Sequence, residues 1–197
     1  MKYPAIFPAM KSGEEEIIDL SGQPIAKLQN FWQWAHSDLV GNAERGLLAE
    51  YIVACALGLT DEGRVEWDKY DLKTKDGISV EIKTSGYIQT WGQKKLSNLQ
   101  FGIRETFELN IETNEYAKVA KRQADVYVFC VHKHKDQETI NPLDLRQWEF
   151  YVLSTKDLNE KVGNQKSIGL GRLMEIGAVK SSFEQLLEAI RKSKAVI

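Results

Sequence analysis

Asp71, Glu81 and Lys83 fall inside one short stretch, "YDLKTKDGISVEIKTS", residues 70–85. Two carboxylates and an ammonium on one side of a chain can hold a divalent cation and act on a phosphate. Mg²⁺ binds through one or two carboxylates together with waters and phosphate oxygens. A neighbouring lysine can orient or help deprotonate an attacking water, or offset charge on the phosphate. That is the layout for hydrolysing a phosphodiester. An exposed hairpin whose acids are neutralised by Lys73 and Lys83 would carry the same residues, so the elements around them have to separate the two readings.

Ile78, Val80 and Ile82 alternate with Ser79, Glu81 and Lys83, the period of a strand with one apolar face. Asp76-Gly77 suggests a turn before it. A two-residue turn would set Leu72 against Glu81 and Lys73 against Val80, mixing apolar and charged groups on both faces. A three-residue loop, Lys75-Asp76-Gly77 with Gly77 left-handed, pairs Leu72 with Val80, Lys73 with Ser79 and Asp71 with Glu81. Only this register sorts the faces, and a slip of one residue reverses them. It puts two carboxylates side by side, which repel unless a cation lies between them.

The helix that should pack on this strand carries an acid of its own. In "NAERGLLAEYIVACALGL", Glu50 is flanked at helical spacing by Gly46, Leu47, Val53 and Ala54. A carboxylate on an apolar helix face is costly unless it is paired, protonated or bound to a metal. Glu44, in the first turn, suits the helix dipole and reads as structural.

A helix glutamate, then Asp71, then Glu81-Ile82-Lys83 at a strand end resembles the PD-(D/E)XK nuclease superfamily over residues 41–84. The resemblance implies a restriction-endonuclease-like fold, an α/β three-layer sandwich whose central mixed sheet is flanked by helices. It implies that Asp71 and Glu81 are metal ligands with the Ile82 carbonyl as a third. Lys83 would be the catalytic lysine, and Glu50 would support the metal through water. Mg²⁺, or Mn²⁺, would be the cofactor and DNA the substrate. The motif's proline is replaced by Tyr70. The superfamily also holds members without activity, so a non-catalytic module binding nucleic acid or protein on the same fold is the alternative. In some branches a glutamine follows the lysine, which gives Gln89 a catalytic reading beside that of a loop residue. Tyr87 and Trp91 interleave with Lys94 and Lys95. Such a mixture stacks on bases and holds phosphates, or anchors a surface loop.

The elements expected around the hairpin run as follows. Residues 1–24 read as an irregular arm broken by Pro4, Pro8, Gly13, Gly22 and Pro24, and residues 25–197 as one domain. Residues 26–36 read as a short helix with Leu28, Phe31, Trp32 and Ala35 on one face. Asn42 is expected to cap a long helix ending at Leu57, with Gly58 closing it. Residues 64–68, 70–74, 78–84 and 99–104 read as strands, residues 86–98 as a loop, and "EYAKVAKRQ" as a helix. "ADVYVFCVHK" has the look of a buried central strand and "QWEFYVLST" of another. Thr155 is expected to cap a short helix, and Ser181 or Ser182 the C-terminal one.

Other chemistries find less support. Cys130, His132 and His134 share a strand face, but the strand is leaving the core there, so the cysteine reads as core and the histidines as surface rather than as zinc ligands. "GLGRLMEIG" lacks the strand–turn–helix context of a phosphate loop. No serine or cysteine nucleophile stands with a suitable histidine and acid. With Cys55 and Cys130 alone, a disulfide framework is not expected and a reducing cytoplasm is the default. No run of about 18 apolar residues suggests a membrane span.

The net charge of −2 hides an uneven distribution. Residues 1–82 hold 8 Lys+Arg against 14 Asp+Glu, whereas residues 82–104 hold Lys83, Lys94, Lys95 and Arg104 and no acid. A basic stretch that begins at the Glu-x-Lys strand is where a polyanion would lie. Cutting both strands of a duplex commonly needs two active sites, so a homodimer is an expectation.

Overall fold

Apolar residues recur along the chain at strand and helix spacings, and the computed structural model, which describes residues 3–65, 69–110 and 112–195, sorts them accordingly. A hairpin of β1 (Glu16–Ile18) and β2 (Pro24–Lys27) leads into α1 (Leu28–Ala35) and α2 (Asn42–Leu57). The hairpin of β3 (Leu72–Lys73) and β4 (Ser79–Gly86) follows. Three short strands come next: β5 (Gln100–Gly102), β6 (Leu109–Asn110) and β7 (Glu115–Tyr116). The long strands β8 (Val126–His132) and β9 (Trp148–Ser154) precede α3 (Thr155–Val162), β10 (Ser167–Gly169) and α4 (Leu170–Glu175). Strand β11 (Val179–Ser181) and helix α5 (Leu186–Ala195) complete the order.

The architecture is α/β, with a five-stranded mixed sheet in the order β11-β9-β8-β4-β3. Strands β4 and β8 run parallel, and the other pairs are antiparallel. Every residue of β8 is buried, as expected for a strand covered on both faces. Val126, Val128 and Cys130 face Val80 and Ile82 of β4 and the helices α2 and α5, through Ile52, Val53, Leu186 and Ile190. Tyr127, Phe129 and Val131 face the other way, onto Phe101, Ile103, Leu158, Ile168 and Leu173. Burial of each such side chain contributes about 1.5–3 kcal/mol.

The second layer is tied down by one buried cation. Arg122, 5% exposed, donates to the Ile103 carbonyl (2.7 Å) and to Asn159 Oδ1 (2.5 Å). Its Nη2 also serves the Gly163 and Gln165 carbonyls at 2.9 and 3.1 Å. It thereby joins the end of β5 to the C-terminal end of α3, whose exposed carbonyls favour a cation.

Several expectations need correction. The stretch 1–24 is not irregular throughout: Glu16–Ile18 pairs as β1 with β2, which begins at Pro24, and Asp19 closes the turn by accepting from the Ser21 and Gln23 amides (2.8 and 2.9 Å). The apolar side of α1 is not buried; instead the Trp32 ring lies over Gly13, where an added Cβ would approach it to 2.9 Å. The cap of α2 is Gly41 rather than Asn42, whose side chain is taken by Arg45, while Gly58 does close the helix at φ 65°. Residues 115–123 form no helix: Glu115–Tyr116 is β7 and Lys121 bridges Thr106, so the segment runs as an extended edge. Ser154, not Thr155, caps α3, accepting from the Asp157 amide at 3.0 Å. A 3₁₀ turn, Phe183–Gln185, opens the C-terminal helical region without a side-chain bond from Ser182. Of the strand expected over residues 64–68, residues 66–68 lie outside the described residues and the rest is not strand. His132 is 2% exposed and packs edge-on against Trp148, so it is core rather than surface; burial holds its pKa down to about 4, leaving it neutral. Among the described residues no helix is long and apolar enough to cross a membrane.

Replacing Arg122 by Met leaves buried carbonyls without their charged donor. We expect a loss of about 2–4 kcal/mol in urea unfolding with an unchanged m-value. A loss below about 0.5 kcal/mol would show that the cation does not hold the layer together.

Candidate active site

The site is built from a strand that stops early. Strands β3 and β4 pair Leu72 with Val80 and Lys73 with Ser79, and the Thr74 amide donates to the Ile78 carbonyl at 2.9 Å. Gly77, at φ 90°, supplies the left-handed position of the three-residue loop. Continuing the register would set Asp71 against Glu81, but β3 contains only Leu72 and Lys73. The amide of Ile82 therefore lacks a ladder partner on that side. The Asp71 carboxylate takes its place, with Oδ2 accepting from Ile82 N at 2.6 Å. In a strand the N–H and C=O of one residue point to the same side, so the Ile82 carbonyl also faces the Asp71 edge.

Acids approach this edge from both faces of the sheet. Glu81 and Lys83 project from the face opposite Val80 and Ile82, and Lys83 Nζ lies 2.5 Å from Glu81 Oε1. Glu50 comes from α2, on the side that packs against Val80 and Ile82, and holds Arg64 Nε at 2.5 Å. Burial of the Asp71 carboxyl and the nearby charge of Glu81 push its pKa up to about 7, with Glu50 adding to the rise. The Ile82 amide and Lys83 oppose that shift without cancelling it. Glu81 and Glu50 are paired with Lys83 and Arg64, yet their charge still raises the pKa of Asp71. Among the described residues, no three of His, Cys, Asp and Glu form a ready-made metal cage. The groups that fit a hard cation are Asp71, Glu81 and the Ile82 carbonyl, which suits an ion that keeps several of its waters.

Two hollows flank the edge. One, of about 290 Å³, lies beside Lys83 and Glu81 and is walled by Lys69, Arg104, Gln123 and Tyr127. The other, of about 730 Å³, lies beside Glu50 and Asp71. Lys69, Arg104, Gln123 and Tyr127 were not singled out as site residues by sequence reasoning; only the basic run ending at Arg104 hinted at them.

Gln89 does not join the acids. It is 6% exposed, and its Oε1 accepts from Arg45 Nη1 at 3.4 Å while its Nε2 donates to the Gly86 carbonyl at 3.0 Å. Its amide is taken up in holding loop 86–98 against α2. Tyr87 packs against the core and carries Lys135 Nζ 4.5 Å from its ring centroid. Trp91, 54% exposed, stands at the loop surface with Lys94 and Lys95, which are also exposed.

The family model of bacteriophage T4 endonuclease IV matches residues 25–170, and the chain belongs to that family. No curated protein matches it in sequence. The matched span contains the whole of the Asp71–Lys83 hairpin, Glu50 and both hollows apart from Met10 of the larger one.

The raised pKa of Asp71 carries a stability signature. Below about pH 4 the carboxyl is protonated whether folded or unfolded, so it contributes nothing. Between about 4 and 7 the folded chain keeps a proton that the unfolded chain has lost, and stability falls as pH rises. Asp71→Asn should therefore stabilise the metal-free protein at pH 8 by about 1–3 kcal/mol and leave it unchanged at pH 4. Thermal melts in chelator at both pH values test this; a variant less stable at pH 8 would contradict the assignment.

Proposed function

We propose that this protein is a divalent-metal-dependent endonuclease of DNA, working on the PD-(D/E)XK plan. The observation that carries the reading is the Asp71 carboxylate at the start of β3, bonded to the Ile82 amide and close to Glu81 and Glu50, with Lys83 beside Glu81 on β4. Family membership supports it, since the family is that of an endonuclease.

In this reading Asp71, Glu81 and the Ile82 carbonyl hold Mg²⁺ or Mn²⁺. The bound cation supplies Lewis-acid stabilisation of the phosphate and lowers the pKa of water near it. Asp71 Oδ2 keeps its bond to the Ile82 amide, which holds the carboxylate at the sheet edge. Lys83 Nζ, held by Glu81, sits where it can donate to a phosphate oxygen or orient the attacking water. Hydrolysis forms a bond from water oxygen to phosphorus and breaks the bond to one sugar oxygen, which leaves with a proton. Glu50, tied to Arg64, acts from the opposite face through water. Trp91, Lys94 and Lys95 offer ring and ammonium contacts to the strand outside the reacting phosphate.

Of plasmid, single-stranded and branched DNA incubated with Mg²⁺ or Mn²⁺, at least one should be cut, and Lys83→Ala should reduce that rate at least about 100-fold without loss of fold. Undiminished cutting by the variant would remove Lys83 from the chemistry. DNA binding equal in metal and in chelator, with no cutting of any substrate, would favour a non-catalytic binding module instead.

A further inference from the structure

The hollow beside Lys83 carries more positive charge than its own acid offsets. Lys69, Lys83 and Arg104 line it against Glu81. Lys83 is paired with Glu81 at 2.5 Å, and Lys69 reaches Glu108 at 2.8 Å. Arg104 is exposed and makes neither an ion pair nor a hydrogen bond among the described residues.

Strand alternation sets the direction of Arg104. Phe101 and Ile103, each 1% exposed, are turned into the core, so Gly102 and Arg104 face outward onto the hollow. The backbone just before Arg104 is held at both of its polar groups. The Ile103 amide donates to the Lys166 carbonyl at 3.0 Å, and the Ile103 carbonyl accepts from Arg122 at 2.7 Å. Gly102 contributes no side chain, and the place its Cβ would take has no atom within 4 Å, so the space beside Arg104 is unfilled.

A second donor looks into the same space. Tyr127 pairs with Glu81 in the parallel ladder and is 3% exposed, with its ring at 22° to Phe129. It nevertheless lines the hollow, and its hydroxyl has no hydrogen-bond partner among the described residues. A guanidinium, an ammonium and a phenol together call for a ligand with several acceptor oxygens and negative charge. Water answers the hydroxyl but brings no charge; a phosphodiester offers both.

We infer that Arg104 and the Tyr127 hydroxyl hold the non-bridging oxygens of the phosphate being cut, beside Lys83. This rests on the nuclease reading and adds two catalytic residues to it. As water attacks phosphorus, charge on those oxygens is met by the planar guanidinium fork and the phenol O–H. Donors fixed in advance by the β5 backbone and the Phe129 ring need little rearrangement at that moment.

The test is steady-state cleavage of whichever of plasmid, single-stranded and branched DNA the unaltered protein cuts. Arg104→Ala should lower kcat about 100-fold. Tyr127→Phe, which removes the hydroxyl and keeps the ring, should lower it about tenfold. KM should stay within about threefold in both, because the contacts tighten in the transition state. Calorimetric Mn²⁺ binding should be unchanged in both variants, which separates phosphate contact from damage to the acid edge. A raised KM with kcat unchanged would place Arg104 on a flanking phosphate and overturn the inference. Lost Mn²⁺ binding in the variants overturns it as well. An unchanged rate in either variant, with Lys83→Ala inactive, overturns it and leaves the nuclease reading standing. No cleavage of any substrate by the unaltered protein removes the nuclease reading and this inference with it.

Discussion

The Ile82 amide, left without a backbone partner where β3 stops, is satisfied by the Asp71 carboxylate, and the placement of the site follows from that bond. It draws an acid into the sheet edge at the point where Glu81 and Lys83 leave one face and Glu50 of α2 approaches from the other. The hydrophobic sheet makes the position hard to alter. Val80 and Ile82 must face α2 and α5, so Glu81 and Lys83 have no choice but the opposite side. The parallel pairing of β4 with β8 pins the strand along its length. The core thus specifies the register, and the register specifies which charges meet. The cost is a half-buried carboxyl whose charge the protein's own groups do not fully compensate.

Placing the acids at an edge divides the surroundings into two chemically different spaces. On the Glu50 side the larger hollow is bounded by α2 and the segment after it. On the Lys83 side the hollow is smaller and is closed by β5 and the extended stretch around Gln123. That second wall is not rigid by its own ladder, since β5 is short and pairs with β10 outside the main sheet. Beyond the burial of Phe101 and Ile103, it is tied by Arg122, which joins the residue after β5 to the end of α3. Fold and site are therefore coupled through a buried guanidinium next in sequence to Gln123.

How much of this was legible in the sequence depends on whether a local rule had a competitor. The hairpin register could be read from Tyr70 to Ser85 because only one alignment separates apolar from charged residues, and the observed pairing of Leu72 with Val80 follows it. The buried strand Val126–His132 was legible for a similar reason, its apolar run having no polar face. The Asn42 cap failed because a buried Arg45 claims that side chain. The helix over residues 115–123 failed because pairing with Thr106 and the burial of Arg122 outweigh a modest local propensity. At the site, Asp71, Glu81 and Lys83 were legible as a cluster, but the early end of β3 was not, and it replaces strand pairing by a carboxylate bond. Gln89 looked like a site residue by its distance along the chain from Lys83; only tertiary contact with Arg45 shows its amide committed to the loop.

The account turns on whether the acid edge holds a cation, and that is measured most directly by titrating Mn²⁺ into the metal-free protein by calorimetry at pH 6 and pH 8. The prediction is a single site, tighter at pH 8 because Asp71 must first release its proton, and lost in Asp71→Asn. Binding that ignores both pH and Asp71→Asn, or no binding at either pH, would contradict the claim that this carboxylate edge is a metal centre.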